Sequence, residues 1–119
     1  MKPAINAVII YAKDVAKTSD FYTRHFGFSA LPELNGITEL SSPAGGIKLL
    51  LHKAAKSVKT GQACIKLVFD VGDVQAFKDA AAAKGLHFGA THEAEGYSFS
   101  NAKDPDQNNV SISSRAFRS

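Results

Sequence analysis

Six residues in this chain, of three kinds, have side chains that could do chemistry. They are one cysteine (Cys64), four histidines (His25, His52, His87 and His92), and a lysine, Lys66, inside the apolar run ACIKLVFDV. Lys66 is the sharpest of them, because an ammonium among apolar neighbours is expensive to bury unpaired. It calls for a carboxylate partner, an open path to water, or an anionic ligand; Glu39 is a candidate internal partner, and a catalytic amine is the remaining role. Cys64, two residues earlier, has the spacing of an activated thiol beside a cation. Its ordinary role is that of a small buried hydrophobe, which is the expectation here. No two histidines stand at a spacing that places them together on one helix face or one strand, so the sequence offers no metal constellation. His25 falls at a helix end, where a cation suits the dipole. His87 and His92 have opposite parity on or beside one short strand. His52 ends a strand and shares parity with Leu50, at the mouth of any pocket on that face. The sequence localises no Ser-His-Asp set and contains no Gly-rich phosphate loop, and Ala44-Gly45-Gly46 is only a turn.

The elements that must position these residues follow from periodicity. Ala4 to Ala12 is rich in β-branched residues and predicts a strand. Asp14 is an N-cap residue, and Val15, Phe21, Tyr22 and Phe26 fall at helical intervals, closed by Gly27, so 15–26 predicts an amphipathic helix. Phe28 to Leu34 (broken at Pro32), Ile37 to Ser41 and Ile47 to His52 predict three strands, with Asn35-Gly36 as a tight turn between the first two. Residues 53–61 (KAAKSVKTG) predict a polar linker. The order then recurs. Ala63 to Val71 is a strand, Asp73 a cap, and Val74, Phe77 and Ala81 lie on an Ala-rich helix closed by Gly85. Leu86 to Thr91, Gly96 to Ala102 and Asn109 to Ser113 predict three more strands. VIIYAKDV (Val8 to Val15) matches LVFDVGDV (Leu67 to Val74) at an offset of about 59 residues, so the chain is a βαβββ unit written twice. One copy alone leaves a sheet face that its single helix cannot cover.

Composition bounds the class. The chain has 119 residues, 45% hydrophobic and 21% charged, which predicts one domain at 1–119 built of two modules, about 1–56 and about 62–119. The apolar runs are too short to span a bilayer, and the N-terminal run is too short for a secretory signal. A single cysteine excludes an intrachain disulfide and points to the cytoplasm. The net charge of +3 is spread along the chain rather than clustered, so no nucleic-acid partner is expected.

The duplicated βαβββ pattern resembles the vicinal oxygen chelate superfamily of glyoxalase I, bleomycin-resistance proteins and extradiol dioxygenases. The likeness is carried by Asp14, Phe21-Tyr22 and Gly27-Phe28, then by Leu67 to Val74, Gly85, Gly96, Asp104-Pro105-Asp106 and Asn108. It departs from the family at Gln107, where the family's turn has glycine, and the left-handed conformation is expected to pass to Asn108 and Asn109. The resemblance implies an α+β fold in which the two modules form curved mixed sheets around a cup-shaped cavity, and a homodimer. It also implies metal-ligand positions at Ala7, Lys66, Ser111 and a residue near Lys48 to Leu50. The first has no donor, the second is a cation and the third is a poor ligand, so no metal and no other cofactor is expected.

Strand alternation then sorts the faces. If Ala7, Lys66 and Ser111 face the concavity, so do Ile5, Ile9, Tyr11, Cys64, Val68, Asn109 and Ser113. The opposite set, Val8, Ile10, Ile65, Leu67, Phe69, Val110 and Ile112, is uniformly apolar, as a helix-packed face should be. The candidate ligand-binding residues are therefore Tyr11, His52, Lys66, Asn109, Ser111 and Ser113. The reading that follows is a metal-independent small-molecule binding protein for a neutral or anionic ligand. Because bleomycin-type drugs are cationic, the basic chain is not expected to bind them. An enzyme of the same superfamily working without the metal ligands, and an interaction module with a filled cup, are the alternatives.

Overall fold

A computed structural model describes residues 2–118, which divide into two compact units with the boundary between Thr60 and Gly61. Each unit is a helix laid on one four-stranded mixed sheet, so the fold is α+β with two repeated modules. Among the described residues no helix is long and apolar enough to cross a membrane.

In unit 1 the order is β1 (Ala7–Ala12), α1 (Val15–Phe26), β2 (Ser29–Ala30), β3 (Ile37–Ser41) and β4 (Lys48–Lys53). The sheet runs β1-β4-β3-β2, with β1 and β4 parallel. Helix α1 starts and stops where its sequence says it should. Asp14 takes extended backbone and its side chain accepts from the Lys17 N–H, while Gly27 sits at φ 74° and donates its N–H to the Tyr22 carbonyl. The helix buries Thr18, Phe21 and Tyr22, and the sheet face made by Ile10, Ala12, Leu40, Leu49 and Leu51 is buried with them.

Unit 2 repeats the plan with β5 (Lys66–Asp70), α2 (Val74–Ala83), β6 (His92–Ala94), β7 (Tyr97–Lys103) and β8 (Asn109–Ser113), in the order β5-β8-β7-β6. A short 3₁₀ turn at Arg115–Phe117 follows β8. The Asp73 cap has nearly the same backbone as Asp14 (φ −132° against −131°, ψ 100° in both), and its side chain accepts from the Ala76 N–H. Val110, Ile112 and Ser100 form the buried face.

Several expected boundaries move, each for a local reason. Strand β1 begins at Ala7 rather than Ala4, because its partner β4 begins at Lys48, whose N–H is taken by the Asn6 carbonyl. Strand β2 is cut to two residues: Leu31 still donates to the Glu39 carbonyl, but Pro32 has no N–H with which to continue the ladder. Leu86 to Thr91 is not a strand. Its carbonyls at Gly89 and Ala90 accept from the Ser100 hydroxyl, the Lys78 ammonium also reaches the Gly89 carbonyl, and the ladder begins only at His92. Strand β5 begins at Lys66, so Ile65 lies outside the sheet and is exposed, as is Cys64, which was expected to be buried. At the turn before β8 the left-handed residue is Gln107 itself, at φ 67°, not Asn108 or Asn109. Asp104 holds that turn, accepting from the backbone N–H groups of Asp106 and Asn108 and from the Asn108 amide.

The polar linker also has an anchor that composition does not reveal. The Lys13 ammonium donates to the carbonyls of Ala55 and Lys56 (3.3 and 3.4 Å) and to that of Val58, while Lys53 donates to the Lys13 carbonyl.

Candidate functional site

The pairing registers place the candidate residues on the sheet faces turned away from the helices. In unit 2, Lys66 pairs with Asn109, Val68 with Ser111 and Asp70 with Ser113; across β8, Lys103 pairs with Asn109, Asn101 with Ser111 and Phe99 with Ser113. His92 pairs with Phe99 on β6. All these side chains share one face by period two. In unit 1 the same logic joins Ala7 to Lys48, Ile9 to Leu50 and Tyr11 to His52, with Glu39 beside Leu50 and Ile37 beside His52 on β3.

The unit 1 face is largely apolar and open. Ile9 is 49% exposed and Tyr11 51%. Its charges cancel, because the Lys48 ammonium lies 3.4 Å from the Glu39 carboxylate. At one end the rings of Tyr11 and His52 meet with centroids 5.5 Å apart. His52 Nδ1 lies 2.9 Å from the Lys53 carbonyl oxygen. A carbonyl can only accept, so Nδ1 carries the proton in this contact, and Nε2 is the nitrogen left for a ligand.

The unit 2 face is polar. The Lys66 ammonium sits 3.2 Å from the Asn101 Oδ1 and 5.5 Å from the centroid of the Phe99 ring. Among the described residues of unit 2 no carboxylate lies within ion-pair distance of it, and Glu39, a candidate partner, is engaged with Lys48 in unit 1. Lys66 is exposed, so its charge stays solvated rather than buried. Ser111 and Ser113 lie on this face but are only 2% and 4% exposed. The Ser111 hydroxyl donates to the Ser100 carbonyl at 3.1 Å, and the Ser113 hydroxyl accepts from the Arg115 N–H at 3.1 Å. Asn109 accepts from the Lys103 ammonium and its own amide reaches the Ile65 carbonyl at 3.5 Å. The open polar groups are thus Lys66, Asn101 and Lys103, with the exposed carboxylate of Asp70 on the same face beside Ser113.

A row of rings completes this face: Tyr97, Phe99 and His92, with centroids 6.4 Å apart for the first pair and 5.1 Å for the second. Sequence reasoning missed this row. The signal is in the sequence, since Tyr97, Phe99, Asn101 and Lys103 alternate along one strand.

The registers also settle which residue of β4 matches Ser111. Ala7 and Lys66 are repeat partners; Ala7 pairs with Lys48 and Lys66 with Asn109, so Leu50 is the counterpart of Ser111. The four positions at which the family resemblance places metal ligands are therefore Ala7, Leu50, Lys66 and Ser111. Two hydrocarbon side chains, an ammonium and a buried hydroxyl already donating to a carbonyl do not fit Zn²⁺, Ni²⁺ or Fe²⁺, which prefer imidazole, carboxylate or thiolate. Nor, among the described residues, does any group of three or more His, Cys, Asp or Glu stand where it could hold one.

Comparison with known proteins agrees with the fold. TnmS3, an antibiotic binding protein from Streptomyces sp. CB03234, is similar in structure with a TM-score of 0.78 at 18% identity, over 93% of this chain and 94% of that one. UcmS2 is similar with a TM-score of 0.81 at 15% identity, over 96% and 99%. A lactoylglutathione lyase from Agrobacterium tumefaciens is similar with a TM-score of 0.73 at 22% identity, over 94% and 93%. No curated protein matches the sequence. The family model described as Glyoxalase/Bleomycin resistance protein/Dioxygenase superfamily matches residues 4–112, nearly the whole chain, and the protein belongs to that superfamily.

Proposed function

We propose that this protein binds a small neutral or anionic molecule without a metal ion. The observation that carries the reading is Lys66: an exposed ammonium held against a neutral amide oxygen and a ring, on the sheet face opposite α2. Such a group combines a fixed charge with neighbouring apolar surface, the mixture that small-molecule sites use. The ligand positions that do not fit a metal support the metal-free part, and the structural likeness to an antibiotic binding protein supports binding as the activity. Asn101 and Lys103 on the same face are the remaining proposed contacts, and Tyr11 and His52 form a separate candidate patch on unit 1. The exposed Ile5, Ile9 and Tyr11 favour a homodimer, measurable by sedimentation.

The test is a thermal-shift panel of apolar drugs and small carboxylic acids, run with and without EDTA. A ligand at a hundred times its Kd stabilises the fold by about 2.7 kcal/mol. The expected result is stabilisation by at least one neutral or anionic compound, unchanged by EDTA. Stabilisation that appears only with Ni²⁺ or Zn²⁺ and vanishes with EDTA would overturn the reading.

A further inference from the structure

We infer that the unit 2 face is built for an aromatic carboxylate, with Lys66 and Asn101 taking the carboxylate and Phe99, His92 and Tyr97 taking the ring. This rests on the binding proposed above and names its ligand class.

The charge selection comes from the Asn101 amide. An ammonium has only donors, so it holds the Asn101 Oδ1 toward itself at 3.2 Å and turns the Nδ2 group away from itself. Nδ2 donates to no described residue, and Lys66 keeps donors to spare, since the amide oxygen is its sole hydrogen-bond acceptor among the described residues. A carboxylate has two oxygens, each able to accept more than one hydrogen bond, so it suits this pair of neighbouring donors. Lys103, two residues along the same strand and on the same face, adds a second positive charge with a neutral Asn109 partner, so the face stays net positive although the Asp70 carboxylate lies on it beside Ser113.

The shape selection comes from the rings. His92 lies 5.1 Å from Phe99 with the planes tilted by 31°, and Tyr97 lies 6.4 Å from it with a tilt of 36°. These separations fall in the range of offset aromatic pairs. None of the three rings is buried, and the helix of this unit packs the other side of the sheet. A planar ligand would continue the row, and Phe99 is the ring that both the cation and His92 already approach. A saturated acid would satisfy Lys66 but leave the rings wet. A neutral arene would cover the rings but leave the ammonium with its single amide partner.

Isothermal titration with three probes separates these terms: 2-naphthoate, 2-naphthol (the rings without the charge) and cyclohexanecarboxylate (the charge without the rings). The expected result is that 2-naphthoate binds at least tenfold more tightly than either. Lys66→Met should cost 2-naphthoate about tenfold and leave 2-naphthol unchanged. Phe99→Leu should weaken both aromatic probes and leave cyclohexanecarboxylate unchanged, while Phe99→Tyr restores them. Amide shift changes on adding 2-naphthoate should centre on Lys66, Phe99 and Asn101. Equal affinity for the two acids, indifference of 2-naphthoate to Lys66→Met, or no binding of 2-naphthoate overturns the inference. If drugs from the stability panel still bind in that case, the inference falls and the broader binding proposal stands.

Discussion

Glu39 in unit 1 and Asn101 in unit 2 occupy equivalent places on equivalent strands, and each meets a lysine. Glu39 lies beside Leu50 and Asn101 beside Ser111, and Leu50 and Ser111 are themselves counterparts. The carboxylate neutralises Lys48 at 3.4 Å, whereas the amide only orients Lys66 at 3.2 Å. The next position along repeats the contrast: Ile37 in unit 1 corresponds to Phe99 in unit 2, and the aliphatic side chain is replaced by the ring beneath the ammonium. Duplication thus supplies two copies of one scaffold, and three or four side chains decide that one sheet face is apolar and charge-balanced while the other is aromatic and, with Lys66 and Lys103 against Asp70, net positive. The helix-packed faces do not diverge in this way, because both must exclude water.

The sharpest structural difference between the units lies at a turn. Gly61 opens unit 2 at φ 79°, and a Cβ there would meet the Gln107 Cβ at 2.7 Å and the Asp106 carbonyl oxygen at 3.2 Å. Gly45, in the β3–β4 turn of unit 1, has a similar φ of 86° but open space around it. Gly61→Ala should therefore cost about 2–4 kcal/mol, from backbone strain plus overpacking, and Gly45→Ala about 1 kcal/mol from strain alone. Urea unfolding of the two variants checks this. Equal losses would mean that the Asp104–Asn108 turn yields freely, which its three hydrogen bonds to Asp104 argue against.

Converting one face into the other is the next largest effect. Asn101→Asp places a carboxylate against Lys66 and should weaken 2-naphthoate about tenfold, or about 1.4 kcal/mol, while 2-naphthol is unaffected. The reverse change, Glu39→Gln, frees Lys48. It should shift the fold's stability by less than about 1 kcal/mol, since an exposed ion pair contributes little. Titration calorimetry and urea unfolding read the two halves of this exchange. An Asn101→Asp variant that keeps full affinity would break the contrast drawn between the faces.

Helix capping offers a place where the units should behave alike. Asp14 and Asp73 share backbone angles to within a degree, and each accepts from the third residue along. Either Asp→Ala change should cost about 1 kcal/mol in thermal unfolding. Unequal losses would show that the helices differ in how much their tertiary packing depends on the cap.

What could be seen in the sequence follows the range of the forces involved. Helix α1, β3 and β8 have the boundaries that local patterns predict, because caps, glycines and period-two alternation are local signals. The parity argument also placed Lys66, Ser111 and Tyr11 on the faces they occupy. Three features were out of reach for a reason of distance. The Lys66–Asn101 contact spans 35 residues, the Lys48–Glu39 pair depends on the β3–β4 register, and the Lys13 cradle joins residues more than 40 apart. Strand alternation says which face a side chain takes, but not which neighbour across the sheet it will choose. The Leu86 to Thr91 segment failed for a related reason: β-like composition was overridden by side-chain bonds from Lys78 and Ser100.

The smallest predicted difference concerns the two non-glycine residues with positive φ among the described residues, one in each unit: Asn35 at 52° and Gln107 at 67°. A residue with a Cβ loses roughly 1–2 kcal/mol in the left-handed region. Asparagine escapes part of that cost because its short polar side chain bonds locally, but glutamine, one methylene longer, gains no such relief. Glycine removes the strain in either case and adds about 0.5–1 kcal/mol of unfolded-state entropy to be overcome. The balance favours Gln107→Gly by about 0.5 kcal/mol and leaves Asn35→Gly near zero. A higher denaturation midpoint for Gln107→Gly alone is the expected result. A gain at Asn35 and none at Gln107 would mean that the Gln107 side chain, packed against Gly61, contributes more than its backbone costs.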